Sequence, residues 1–199
     1  MGGFAFGGLG ARVAHGQIPG IDSSGLDAAD SLRSHVAVDV AKVVTTAGAL
    51  PAVATVVGLA VVWLLMRRRP LEACALAAGL GLTILSVDVA KAAFDRARPP
   101  AALVHTNGQS YPSGHSAYAM SYAAVAVAFA YAFRGFVNRS ALVAGGLVLA
   151  VLVGATRVYL RAHYVSDVLG GFGLAAAVFA LCGTVAVVVA FLRHNARSA

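Results

Sequence analysis

Three observations on this 199-residue chain predict an all-α fold, a polytopic transmembrane helical bundle. Hydrophobic residues make up 59% of it and charged residues 12%, with a mean hydropathy of +0.80. A soluble domain carries about 25% charged and about 45–50% apolar residues. The length allows one domain, so the apolar excess cannot be divided among several cores. The apolar residues also fall in long continuous runs, not in the alternation of β-barrel strands.

Taken in order, Met1–Gly10 is apolar and Gly-rich but far too short to cross a bilayer. It reads as the remainder of a first transmembrane helix, or as a chain whose start lies upstream. It has no cleavage-site pattern of a signal peptide. Asp22–Lys42 places Leu26, Ala29, Leu32, Val36, Val40 and Val43 at i, i+3, i+4 spacing among Asp27, Asp30, Arg33, Asp39 and Lys42. That pattern predicts one amphipathic helix in the membrane interface. Residues 1–46 thus form an N-terminal segment, and residues 47–199 a transmembrane domain.

Five spans are expected in that domain. Ala47–Met66 is uncharged and stops at Arg67-Arg68-Arg69-Pro70, and Leu71–Val87 carries only Glu72 before meeting Asp88 and Lys91. Ser116–Phe133 is uncharged and rich in Ala and Tyr. Ala141–Ala155 is short, and Thr156–Leu160 completes it if Arg157 points into a wet site. Val168–Leu192 is uncharged and ends in the basic tail Arg193–Arg197. Cys74 and Cys182 each lie inside an apolar run without a metal-ligand or disulfide pattern, so they read as small buried hydrophobes.

If the spans alternate, Arg67–Arg69, the loop Arg134–Arg139 and the tail share one face, which the positive-inside tendency makes cytoplasmic. The opposite face is basic too, with Lys91, Arg96, Arg98, Arg157 and Arg161. Positive charge is disfavoured there, and binding an anion explains it. The net charge of +7 does not indicate nucleic acid, because the basic residues sit in short groups between apolar runs and form no stripe.

Three clusters on that outer face carry chemistry. Lys91, Asp95 and Arg98 share a face at i, i+4, i+7 if helical, which converges two cations at one depth. In Tyr111-Pro112-Ser113-Gly114-His115, Ser113 and Gly114 expose backbone N–H groups at a helix start, where the macrodipole favours an anion such as phosphate. His163 and Asp167 are four apart, so on a helix the carboxylate takes one imidazole proton and leaves the other nitrogen free to attack. His115 is placed to protonate a leaving oxygen. Taken singly, each has a plainer reading: a snorkelling anchor, a turn, a structural His–Asp hydrogen bond, or a metal site with His115 as a further ligand.

Together the clusters resemble, in order and spacing, the signature of the type 2 phosphatidic acid phosphatase superfamily of membrane phosphatases. Lys91, Arg98 and Pro99 match its Lys-x6-Arg-Pro part, and Pro112, Ser113, Gly114 and His115 its Pro-Ser-Gly-His part. Arg157, His163 and Asp167 match its Ser-Arg-x5-His-x3-Asp part, with Thr156 in place of serine. The resemblance implies that His163 forms a phosphohistidine, that Asp167 orients it and that His115 protonates the leaving group. It further implies that Lys91, Arg98, Ser113, Gly114 and Arg157 hold the phosphate oxygens, with no metal and no cofactor. Six transmembrane helices are common in the family, so the first one is expected to be truncated or missing here.

The expected activity is hydrolysis of a lipid phosphomonoester or pyrophosphate at the outer side of the cytoplasmic membrane. Phosphatidic acid, phosphatidylglycerol phosphate, diacylglycerol pyrophosphate and a polyprenyl pyrophosphate such as undecaprenyl pyrophosphate all fit, and no oligomeric state is assigned. Preorganised donors aimed at developing charge are worth about 3–4 kcal/mol each, enough for three cations and a helix start to replace a divalent ion. Asp88 and Asp95 are expected to balance Lys91 or Arg96. The loop Pro99–Tyr111, with His105, Asn107 and Gln109, and the segment Asp22–Lys42 are expected to set specificity. Two rival readings are weaker. An anion or lipid transporter would put charges within the spans, and the vanadate-dependent haloperoxidases that share this kind of pocket are soluble.

Overall fold

Within the described residues each of the five apolar runs forms one helix. The computed structural model describes residues 6–11, 20–130 and 135–198. The helices are α1 (Gly20–Ser31), α2 (His35–Thr46), α3 (Leu50–Met66), α4 (Pro70–Phe94), α5 (Gly114–Ala130), α6 (Phe136–Tyr159) and α7 (Val165–Ser198). Residues 6–11 are also helical, and there is no strand among the described residues. The rest of the Met1–Gly10 segment lies outside the described residues. α3 and α4 each begin with a proline in the first turn, where its missing N–H has no partner to lose.

The chain is a multi-pass membrane protein. α4, α6 and most of α7 are long and apolar enough to cross a bilayer. α2 and α3 meet that test together as a pair bent by 43° at Ala47–Ala49. Large apolar side chains point outward, among them Leu59, Leu85, Val151, Val187 and Phe191, which suits lipid as the solvent. Cys74 lies on this outward side and is exposed, contrary to its reading as a buried hydrophobe. Small residues face inward instead. α5 buries Ala117, Ala119, Ala123, Ala126 and Ala128 on several faces, so it can lie centrally against α3, α4, α6 and α7.

Three further expectations change. First, Asp22–Lys42 is two helices, because Ser34 stops α1 and caps α2 by accepting from the Ala37 N–H at 3.2 Å. The expected apolar stripe divides at this break. Leu26 and Ala29 pack into the protein, whereas Leu32, Val36, Val40 and Val43 face outward. Second, α4 continues past Asp88 and Lys91 to Phe94 and is closed by Asp95 in a left-handed conformation with φ 41°. Lys91, Asp95 and Arg98 therefore share no helical face. Pro99 and Pro100 follow at once, and residues before proline are steered to extended backbone. Third, His163 precedes α7 and stands in the turn from α6.

Because α3 to α7 alternate in direction, Lys91–Arg98, Ser113–His115 and Arg157–Asp167 gather at one end of the bundle. Arg67–Arg69 and Arg193 lie at the other end. An apolar cavity of about 960 Å³ opens between α4, α5, α6 and α7, lined by Leu76, Met120, Val127, Leu147, Phe179 and Val187. It occupies the half of the bundle remote from the three clusters.

Gly171 sets the fit of α7 against the start of α5. A Cβ there would lie 2.5 Å from the Ser113 carbonyl oxygen and 3.2 Å from the Ala117 nitrogen, both backbone atoms that cannot step aside. Gly81, by contrast, has open space around it. Gly171→Ala is expected to lower the thermal midpoint in detergent, at a cost of about 1–3 kcal/mol, while Gly81→Ala leaves it unchanged or slightly raised. An unchanged midpoint for Gly171→Ala would contradict this packing.

Candidate active site

The site is built around Asp167, in the first turn of α7 and with no exposed surface. Its Oδ2 accepts the Tyr164 N–H at 2.8 Å, closing the N-terminus of α7 as a capping carboxylate does. The same oxygen accepts from the Ser110 hydroxyl. Oδ1 accepts from Arg96 at 2.5 Å. The backbone carbonyl of Asp167 accepts the Ser113 N–H at 2.9 Å, which joins the start of α5 to the start of α7.

His163, 2% exposed, lies against this carboxylate with Nδ1 3.5 Å from Asp167 Oδ2. The contact is long, and Nδ1 has no closer acceptor. Catalytic hydrogen bonds often tighten only when substrate is bound. The backbone around His163 is held by Arg157, whose carbonyl accepts the Ala162 N–H at 3.0 Å and the His163 N–H at 3.2 Å. Burial drives the His163 imidazole down to about 4; the Asp167 carboxylate opposes the shift, and the cations Arg98 and Arg157 add to it. The ring is therefore neutral at ordinary pH. With Nδ1–H toward the carboxylate, the Nε2 lone pair is directed at Arg98 Nη1, 3.1 Å away.

Arg98 is pinned by three carbonyls: Nε to Gly108 at 2.9 Å, Nη2 to Asn107 at 2.8 Å and Nη1 to Ala162 at 2.8 Å. A guanidinium has five N–H donors, so two remain, one of them the hydrogen at His163 Nε2. Burial pushes the Arg98 group below its ordinary value, and Asp167 only partly offsets this. Arg157 is 5% exposed; its Nη1 donates to Thr45 Oγ1 at 3.0 Å, and its Nε is buried without a partner. His115 opens α5 one residue after Gly114. Gly48 backs it, since a Cβ there would sit 3.1 Å from the His115 carbonyl oxygen. The charges of Arg157, Lys91 and Arg98 and the ring of His163 all act on His115 through space.

The five basic residues of this face divide into two sets. Arg96 and Arg161 are neutralised: Arg96 by Asp22 at 2.8 Å and Asp167 at 2.5 Å, Arg161 by Asp30 at 2.5 Å. No ion pair joins Lys91, Arg98 or Arg157 to a carboxylate among the described residues. Arg96 is thus balanced by Asp22 and Asp167, whereas Asp88, one of the two carboxylates expected to balance Lys91 or Arg96, acts on Lys91 through space. Asp95 instead accepts from Gln109 at 3.2 Å. Two buried or half-buried guanidiniums and an ammonium with no carboxylate in contact, beside a neutral imidazole, form a site suited to a multiply charged anion.

Ser113 offers a different group from the one expected. Its N–H is spent on Asp167, but its Oγ accepts from Ser116 Oγ at 2.9 Å, which leaves the Ser113 hydroxyl hydrogen to donate. The N–H groups of Gly114 and His115 open α5 and have no i−4 helical carbonyl to reach. Thr156 turns its hydroxyl to the Val153 carbonyl of its own helix at 2.6 Å. Among the described residues no three His, Cys, Asp or Glu side chains come together as a metal-ligand set.

Sequence reasoning did not find Asp22, Thr45, Ser110 and Ser166. All are short polar residues with no motif spacing of their own, and their burial arises from tertiary packing. Arg96 was seen as a charge but not as the bridge between two carboxylates.

The family model described as the PAP2 superfamily matches residues 72–191, which includes all three clusters. Phosphatidylglycerophosphatase B of Bacillus subtilis (strain 168) is 43% identical over 98 residues, a stretch of 47% of each chain, so the match spans about half the length of that relative. A crystal structure of a transmembrane PAP2-type phosphatidylglycerolphosphate phosphatase from Bacillus subtilis superposes with a TM-score of 0.79 at 27% identity, covering 91% of this chain and 95% of that one. The structure of LpxE from Aquifex aeolicus shares the fold, with a TM-score of 0.60 at 18% identity over 81% of this chain and 92% of that one. The helices that bring Lys91, Arg98, Ser113, His115, Arg157, His163 and Asp167 to one end are those the family model spans, and the chain belongs to the PAP2 superfamily.

Proposed function

We propose that the chain is an integral-membrane phosphatase that hydrolyses a lipid phosphomonoester or pyrophosphate through a phosphohistidine on His163, without a metal. The observation that carries this reading is the set of cations with no carboxylate in contact, Lys91, Arg98 and Arg157, around a buried neutral imidazole whose Nε2 faces Arg98. The relatives' names point to phosphatidylglycerol phosphate as the substrate to test first. Phosphatidic acid and polyprenyl pyrophosphates offer the same phosphate to the site.

In the first step, His163 Nε2 attacks phosphorus while the bond from phosphorus to the lipid oxygen breaks and His115 gives that oxygen its proton. Asp167 holds the Nδ1 proton and offsets the positive charge that develops on the ring. Arg98, Lys91, Arg157, the Ser113 hydroxyl and the Gly114 N–H hold the phosphoryl oxygens, where charge stabilisation supplies most of the catalysis. In the second step, His115 takes a proton from water, the resulting hydroxide attacks phosphorus, and the P–N bond breaks. Inorganic phosphate leaves, and His163 is again neutral.

The five helices α3 to α7 serve as five spans, with the basic end at Arg67–Arg69 cytoplasmic and the site at the extracytoplasmic face of the cell membrane. A lipid headgroup lies at that depth, so substrate reaches the site from the bilayer.

Purified protein in detergent should release phosphate from at least one of these lipids in excess EDTA, and His163→Ala should lower that rate by about a thousandfold or more. Full loss on chelation, or an undiminished His163→Ala, would sink the mechanism. A second expectation follows from the buried imidazole. Its proton affinity is lowered, so it stays unprotonated, and able to attack, as pH falls from 7 until it nears about 4. An NMR titration of His163 in the free protein should show a midpoint near 4; a midpoint at the ordinary histidine value of about 6.5 would contradict the described burial.

A further inference from the structure

Asp22 lies outside the segment matched by the family model and far from the three clusters in sequence, yet it is fully buried beside them. Its Oδ1 accepts the Ser166 N–H at 2.8 Å, and its Oδ2 accepts the Ser166 hydroxyl at 2.7 Å and Arg96 Nη2 at 2.8 Å. Arg96 in turn donates from Nη1 to Asp167 at 2.5 Å and to Ser166 Oγ at 2.7 Å. The guanidinium lies over the Tyr164 ring at 4.3 Å, which fixes its plane. Asp22, Arg96 and Ser166 thus close a ring of hydrogen bonds, and Arg96 carries it on to Asp167, so that every charged member is satisfied. Burial opposes the charge on Arg96, but the two carboxylates outweigh it and hold the group above its ordinary value.

We propose that Asp22 is a positioning residue for the reaction: from α1 it fixes Arg96, and Arg96 holds the Asp167 carboxylate in the place that orients His163. The inference rests on the reading of His163 as nucleophile. The geometry calls for such a device, because the His163–Asp167 contact is long at 3.5 Å, so the imidazole does not by itself hold the carboxylate in place. Arg96 takes Oδ1, so Oδ2 alone is left for Ser110, Tyr164 and the imidazole. A lysine at position 96 could not do this, since a point charge lacks the fork that reaches Asp22 and Asp167 at once. Asp22 also supplies a negative charge that leaves Arg96 no surplus attraction for the substrate phosphate. The free cations are therefore confined to Lys91, Arg98 and Arg157.

The test is kinetic and spectroscopic on the full chain in detergent or nanodiscs. Asp22→Asn should lower kcat about ten- to a hundredfold, the scale of a misplaced catalytic group, with KM changed less than about threefold. Arg96→Lys should do the same, which guards against one variant failing to fold. The losses from Asp22→Asn and Asp167→Asn should fail to multiply in the double variant, because both act through one carboxylate. A general structural role would lower both rates independently, and fully multiplicative losses or an unchanged kcat would overturn the proposal. The ¹⁵N shifts of the His163 ring provide a readout independent of activity. The Nδ1–H tautomer should dominate in the parent protein and lose that dominance in Asp22→Asn; identical ring spectra in the two would overturn the proposal even if His163 proved not to be the nucleophile. His163→Ala with full phosphatase activity would refute the nucleophile reading alone, leaving the tautomer comparison to decide the role of Asp22.

Discussion

The buried carboxylate of Asp167 is the point on which the catalytic end of the bundle depends. A carboxylate withdrawn from water costs several kcal/mol unless charge and hydrogen bonds replace the solvent. Here the replacements come from two parts of the chain: Arg96, itself held by Asp22 of α1, and Ser110 from the α4–α5 loop, and Tyr164 and His163 from the turn before α7. Its backbone carbonyl adds a third, the Ser113 N–H at the start of α5. Satisfying this one side chain therefore brings the three clusters to one depth and fixes their orientation.

The network also polarises the site. On one side of the His163 ring, Asp22 and Asp167 share Arg96, so Nδ1 faces net negative charge. On the other side, Arg98 faces Nε2, and Arg157 and Lys91 add their charge with no carboxylate in contact among the described residues. A neutral imidazole between a negative and a positive pole is set up to donate electrons toward an anion held by the cations. The arrangement has a stability cost, because buried guanidiniums without counter-ions oppose folding. α5 and α7 compensate by close packing of small residues, with Gly171 against Ser113.

Much of the architecture was legible in the sequence because bilayer helices are written in one variable, the length of uncharged runs. The runs beginning at Ala47, Leu71, Ser116, Ala141 and Val168 each became one helix. The ends were less legible. α4 runs past Asp88 and Lys91 because charges at a helix end can reach the interface, so hydropathy alone stops it too early. The segment Asp22–Lys42 has a continuous helical period, yet Ser34 offers a cap that competes with continuation. For the site, the spacing of Lys91, Arg98, Ser113, His115, Arg157, His163 and Asp167 was readable. The buried network of Asp22, Arg96, Ser110 and Ser166 around Asp167 was not, because its members are joined across long stretches of chain and have no spacing to recognise.

The central claim is that His163, set between Asp167 and Arg98, carries the phosphoryl group. It is tested most directly by rapid quench with a lipid substrate labelled in its phosphate, followed by denaturation in alkali, where phosphohistidine survives, and by peptide mapping. The account predicts a transient label, labile to acid, on the peptide holding His163, which is absent in His163→Ala. Phosphate turnover with no label on the protein, or a label on His115 instead, would contradict it.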